Sequence, residues 1–247
     1  MKRILFVLMC LSIFVVACEV KNPQDGIDND FESTDLVDSG MEKMKNKDFQ
    51  GAIDSFAKAS ETDDDPNILS FLAKAKLLAG DGNGALDAIN KALDIKIERP
   101  YYLARAEIQL FLKNFKDASS DIEKATAISD DDSWPHYILS NIKFESGNNK
   151  EALDSINMAL SKGNDMQSNK VLYYEHMANI KYTTKDYQGA LNAINQALEG
   201  AQSLENTEER FPPEAISNFY TKRSKIKFDM GDESGSVEDI EKAKSSN

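Results

Sequence analysis

One small residue recurs through this chain with a regularity that dictates its architecture: Ala52, Ala85, Ala118, Ala152 and Ala190, with Ser236 in the sixth place. A second follows each by seven residues, at Ala59, Ala92, Ala125, Ala159, Ala197 and Ala243. Between them, four residues after the first, stands a large apolar residue every time: Phe56, Ile89, Ile122, Ile156, Ile194 and Ile240. Spacings of four and then three put all three on one face of a helix, where small residues let a neighbouring helix approach and the large one fills the gap. The steps between first alanines are 33, 33, 34, 38 and 46 residues. Periods of this length mark stacked supersecondary units rather than one globular core.

Upstream of each alanine pair lies a second pattern. A small residue at Gly40, Ala73, Ala106, Ser140, Ala178 and Ser224 is followed four later by Met44, Leu77, Leu110, Phe144, Tyr182 and Phe228, which defines another packing face. Between the two patterns sit Lys47-Asp48, Gly80-Asp81, Lys113-Asn114, Gly147-Asn148, Lys185-Asp186 and Gly231-Asp232, suited to a helix C-terminus followed by an N-cap. Each unit is therefore two helices. With only six Pro and twelve Gly in 247 residues, strands joined by tight turns are not expected.

These residues resemble the tetratricopeptide repeat (TPR) family, with Asp48-Phe49-Gln50-Gly51-Ala52-Ile53 and Asp186-Tyr187-Gln188-Gly189-Ala190-Leu191 as close matches to its inter-helix segment. The resemblance implies an all-α, right-handed α-solenoid of about six TPR-like helix-turn-helix repeats, at approximately 34–66, 67–99, 100–132, 133–166, 171–204 and 213–247. Two junctions are stretched by about four and twelve residues relative to the family's 34-residue unit. The longer stretch, Gly200 to Pro213, either extends a helix or forms an exposed loop.

The resemblance also implies a binding surface along the first helices. In the last three units its positions are Trp134, Tyr137, Asn141 and Phe144, then Leu172, Glu175, Asn179 and Tyr182, then Asn218, Thr221, Lys225 and Phe228. Of these, Trp134, Tyr137, Asn141, Phe144, Asn179, Tyr182, Lys225 and Phe228 suit a partner-binding groove, since rings supply contact area and amides bond a peptide backbone. Phe144, Tyr182 and Phe228 fit a core role equally well. The lysine that the family's carboxylate clamp requires is missing, so a chaperone C-terminal tail is not an expected ligand. Three residues after each first-helix small residue come Lys43, Lys76, Gln109, Lys143, Lys181 and Lys227. Their stems either cover the core and reach acids such as Asp54, Asp87, Asp121 and Asp154, or Lys143, Lys181 and Lys227 form a basic ladder for an acidic ligand.

The N-terminus addresses location. Met1-Lys2-Arg3 precedes an apolar run from Ile4 to Ala17, too short for a bilayer span and suited to a secretory signal. It ends Val15-Val16-Ala17-Cys18, which resembles a bacterial lipobox. This implies a signal peptide over 1–17, lipidation of Cys18, a flexible acidic tether over 18–33, and a protein held in the bacterial cell envelope through N-terminal lipid alone. Both cysteines, Cys10 and Cys18, lie in this segment, so the body needs no disulfide. The formal net charge is −13, and loss of Lys2 and Arg3 with the signal takes it to −15. That balance disfavours nucleic acid and points to protein or peptide partners.

No catalytic, metal or cofactor site is expected. His136 and His176 are the only histidines and lack metal-ligand spacing. Asp63-Asp64-Asp65 and Asp130-Asp131-Asp132 fall at unit junctions, where they suit helix caps. Asp81-Gly82-Asn83-Gly84 lacks the later ligands of a calcium loop. The expected function is a lipid-anchored scaffold or docking protein for other proteins; the alternative is an accessory carrier binding a small ligand or glycan strand in the groove. The final repeat is expected to self-associate or dock a partner through its outer helix.

Overall fold

The structure, a computed structural model, describes residues 29–162 and 166–246. These form twelve α-helices and no strand. They divide into two compact units, one ending at Ser129 and the other beginning at Asp130. The first unit holds α1 (Asn29–Lys45), α2 (Phe49–Thr62), α3 (Pro66–Leu78), α4 (Gly82–Ile95), α5 (Arg99–Phe111) and α6 (Phe115–Ile128). The second holds α7 (Trp134–Glu145), α8 (Asn149–Ser161), α9 (Gln167–Thr183), α10 (Tyr187–Ser203), α11 (Pro213–Asp229) and α12 (Glu233–Ser245). Consecutive helices pair, and within each unit the pairs stack in chain order, α2 on α3, α4 on α5, α8 on α9 and α10 on α11.

Every pair is joined by three residues, and the middle one has positive φ: Lys47, Gly80, Lys113, Gly147, Lys185 and Gly231, between 61° and 89°. That left-handed residue ends the first helix, and the next backbone N–H reaches back to close it, as Asp81 N does to Lys76 O at 2.9 Å. Asp48, Asp81, Asp186 and Asp232 then cap the second helix by accepting from the N–H three residues on, at 2.8–3.0 Å. The acceptor carboxylate folds so tightly that a Cβ at Gly84 would lie 2.0 Å from Asp81 Oδ2. Where the cap is instead Asn114 or Asn148, the side chain makes no capping bond, and an acid, Asp117 or Glu151, occupies the glycine's place.

The recurring alanines are the core. Each first alanine from Ala52 to Ala190 is fully buried, as are Phe56, Ile89, Ile156 and Ile194, with Ile122 nearly so. Gly40 stands where the other first helices carry Ala or Ser, because a Cβ there would meet the Phe56 ring at 2.6 Å. Where serine replaces alanine, its hydroxyl is bonded: Ser140 Oγ donates to Ala152 O at 2.7 Å, and Ser224 and Ser236 share a bond of 2.9 Å. Ile240 breaks the pattern and is 42 % exposed.

The last pair of each unit carries the same polar fastening. Arg105 on α5 grips Asp121 on α6 with Nε and Nη2, both at 2.8 Å, and gives Nη1 to Asn90 on α4 at 2.9 Å. Arg223 on α11 grips Asp239 on α12 at 2.8 and 2.6 Å and gives Nη1 to Asn195 on α10 at 2.9 Å. Each guanidinium also lies over a tyrosine ring three residues earlier, Tyr102 or Tyr220. One arginine thus ties three helices, and the bidentate geometry offsets burial of the aspartate.

The stretched junctions resolve into both anticipated forms. The four extra residues lengthen α9, which starts at Gln167 rather than 171. Its partner α10 gains a turn to match, with Gly200 close against Val171, before residues 204–212 form a loop. Helix α1 begins at Asn29, inside the stretch read as tether; adding a turn to a helix already packed further along avoids the cost of nucleation. Cys18 and the segment 1–28 lie outside the described residues. Among those described, no helix is long and apolar enough to cross a membrane.

Candidate functional site

Along α7, α9 and α11, the first helices of the second unit, six of the eight expected groove residues are at least partly exposed. Asn141 and Phe144 lie on α7, Asn179 and Tyr182 on α9, and Lys225 and Phe228 on α11. Phe144 is half-buried, its ring edge-on to His176 at 5.5 Å. Asn179 Nδ2 donates to Glu175 Oε1 at 3.2 Å, and Asn141 Nδ2 donates to Tyr137 O at 2.9 Å, so both amides are steadied by their own helices. Lys225 Nζ lies 4.9 Å from the centroid of the Tyr182 ring, whose hydroxyl donates to the Asp229 carboxylate. That bond, with burial and the nearby negative charge, pushes the Tyr182 hydroxyl up to about 12, so it remains a donor at neutral pH. Phe228 is 61 % exposed, which decides its role in favour of the surface.

Two expected groove residues are buried instead. Trp134 is 8 % exposed and Tyr137 2 %, and their rings pack 5.1 Å apart. Tyr137 continues into Tyr173 and His176 at 5.1 and 5.7 Å, so these rings build the core of the unit. A repeat-based reading places both on the open face. The stack of rings on α7 and α9 outcompetes solvent exposure because each ring buries a large apolar area.

The lysine ladder is also paired within its own repeats. Lys143 meets Glu151 at 2.7 Å, Lys181 meets Asp186 at 3.2 Å, Lys227 meets Asp239 at 2.9 Å, and Lys43 donates to Ser55 at 2.9 Å. These ammonium groups meet partners other than the acids expected. Asp121 belongs to Arg105, and Asp54 accepts from Gln50. Residues at the start of the second helix, or on its face toward the first, lie nearer the lysine tips than the outward-facing acids do.

Sequence reasoning missed the role of Lys222, which pairs with Glu175, a carboxylate only 1 % exposed. No spacing rule announces that pair, since the residues are 47 apart and meet only when α11 packs near α9. The histidines are structural. His176 is fully buried; Nε2 lies 3.0 Å from Ser140 Oγ, and burial pulls its pKa down to about 4. His136 Nε2 sits 2.8 Å from Asp130, whose carboxyl is held below its usual range by Lys162 and His136. Among the described residues, no cluster of three or more His, Cys, Asp or Glu could hold a metal ion.

The sequence matches no protein-family profile and no curated protein. Its fold, however, is shared with solved structures. The APC/C Cut9–Hcn1 hetero-tetramer aligns with a TM-score of 0.68 at 16 % identity over 89 % of this chain, which spans 43 % of the length of that one. A thermophilic TPR protein from Thermus thermophilus aligns with a TM-score of 0.61 at 18 % identity, covering 69 % of this chain and 92 % of its own. Pseudomonas aeruginosa pilF aligns at 0.63 with 13 % identity, over 85 % and 90 % of the two chains. At these identities the likeness establishes the tetratricopeptide-type fold.

Proposed function

We propose that the chain is a non-catalytic docking protein that binds a segment of a protein partner across α7, α9 and α11. One observation supports this reading: on three successive first helices Asn141, Phe144, Asn179, Tyr182, Lys225 and Phe228 are held by intramolecular bonds and ring contacts or left at the surface, with Lys225 of α11 over the Tyr182 ring of α9, and in this reading they make a single strip. Such pre-organised groups bind an extended or helical segment at little ordering cost. Aligned structures with this fold include one subunit crystallised within a hetero-tetramer, which agrees with a role in assembly. The alternative of a small-ligand or glycan carrier loses the two rings, Trp134 and Tyr137, that would have floored a closed pocket.

In this reading the body is tethered by lipid at Cys18 in a bacterial envelope. The support is the apolar run ending Val15-Val16-Ala17-Cys18. Each buried methylene of an acyl chain contributes roughly 0.8 kcal/mol, so several chains anchor durably. Two experiments test the pair of claims. A photo-crosslinking residue at Asn179 in the full chain should capture a stoichiometric protein partner, and Phe228→Ala with Lys225→Ala should abolish capture; undiminished capture would refute the strip. A fatty-acid analogue should label the natural chain and not Cys18→Ala; equal labelling would refute the anchor.

A further inference from the structure

The outer stripe of α12 is exposed, and its residues are complementary to themselves. In the internal repeats the large apolar residue four after the first alanine is buried, whereas on α12 its equivalent Ile240 is 42 % exposed and the adjacent Val237 is 56 % exposed. Glu233, Val237, Ile240 and Lys244 fall at spacings of four, three and four, which places them in one line along the helix. Ser236, Asp239 and Ala243 occupy a separate, buried face toward α11, so the stripe is not needed to hold the repeat together. The line reads acid, apolar, apolar, base.

We propose that α12 pairs antiparallel with α12 of a second copy. A twofold axis passing between Glu238 and Asp239 sets Val237 opposite Ile240 of the partner and Glu233 opposite Lys244 of the partner, and each contact occurs twice. The two apolar pairs form the seam and the two charge pairs bracket it, as flanking charges set orientation in paired helices. Parallel pairing would place Glu233 against Glu233 and Lys244 against Lys244, so charge selects the antiparallel form. A four-turn helix contact lies at the small end of specific interfaces, and the dimer is therefore weak and concentration-dependent.

The experiment is sedimentation velocity on the full chain from about 5 to about 500 μM, a range that brackets weak interfaces. The natural chain is expected to shift from monomer to dimer across it, and Ile240→Glu to stay monomeric with an unchanged circular dichroism spectrum and melting profile. Glu233→Lys and Lys244→Glu, each alone, should weaken association about tenfold, since two attractions become two repulsions. An equimolar mixture of these two variants pairs lysines with glutamates at both ends and should recover dimer. A natural chain that stays monomeric throughout, or a mixture no better than its components, overturns the proposal. Partner capture at Asn179 in Ile240→Glu separates this result from the fate of the docking strip.

Discussion

Replacing Arg223 with methionine keeps most of the apolar stem and removes the guanidinium that ties α10, α11 and α12. Asp239 is fully buried and accepts two bonds from Arg223, at 2.8 and 2.6 Å, while Lys227 lies 2.9 Å from the same carboxylate. Breaking a buried pair by deleting one partner costs about 3–5 kcal/mol, because the remaining charge is stranded. Lys227 compensates part of that, which brings the expected loss to about 2–3 kcal/mol. The twin at Arg105 has a weaker reserve: Lys124 reaches Asp121 only at 3.4 Å and from a side chain 49 % exposed. Arg105→Met should therefore cost more, about 3–4 kcal/mol. Urea titration followed by circular dichroism, with the slope compared between variants, measures both losses. The stranded carboxylate also fixes the sign of a rescue. Adding Asp239→Asn to Arg223→Met removes the stranded charge and should restore about 1 kcal/mol. Burial pushes the Asp239 carboxyl up, but Arg223 and Lys227 outweigh it and hold the group below its ordinary value. The stabilisation is therefore complete above the unfolded carboxylate range and disappears as pH falls through the folded value. A loss under about 1 kcal/mol for Arg223→Met, or further destabilisation by the second change, would refute the account.

Three further outcomes follow from the same packing. Ile194→Ala opens a cavity at a fully buried site and should cost about 3–4 kcal/mol, whereas Ile240→Ala, at the half-exposed equivalent, should cost under about 1 kcal/mol in dilute solution; equal losses would show that the stripe is not exposed. Gly84→Ala drives a Cβ into Asp81, displacing the cap, and should cost about 1–2 kcal/mol by thermal melting, an effect that Asp81→Ala in the same background should not add to. His176 is buried neutral with its pKa drawn down to about 4, so the unfolded chain takes up a proton near pH 6.5 while the folded one does not. Stability should fall between pH 6.5 and 4, and His176→Gln should flatten that part of the profile; an unchanged slope would count against the buried neutral ring.

The sequence alone was enough for the repeat, its register and its two-helix unit. Small residues at spacings of seven, one large residue between them, and the Lys/Gly-then-Asp/Asn turn are local statements about which faces pack and where a helix must stop. They hold whichever neighbours arrive, which is why Ala52 and Ile194 could be assigned to the core, and Lys47 and Gly80 to the turn, without coordinates. The proposed lipidation of Cys18 rests on the sequence alone. What the tertiary structure alone decided concerns pairs far apart in the chain. Tyr137 and Trp134 stand at positions that a repeat reading places on the open face, and they are core because Tyr173 and His176 meet Tyr137 from α9 and Trp134 packs on Tyr137. Glu175 finds Lys222 only when α11 comes near α9. Asp121 and Asp239 carry no sign of burial in their own helices; the arginines on the preceding helices make it tolerable. Periodicity reports the face a residue occupies, while the neighbouring helix determines whether that face is covered and by what charge.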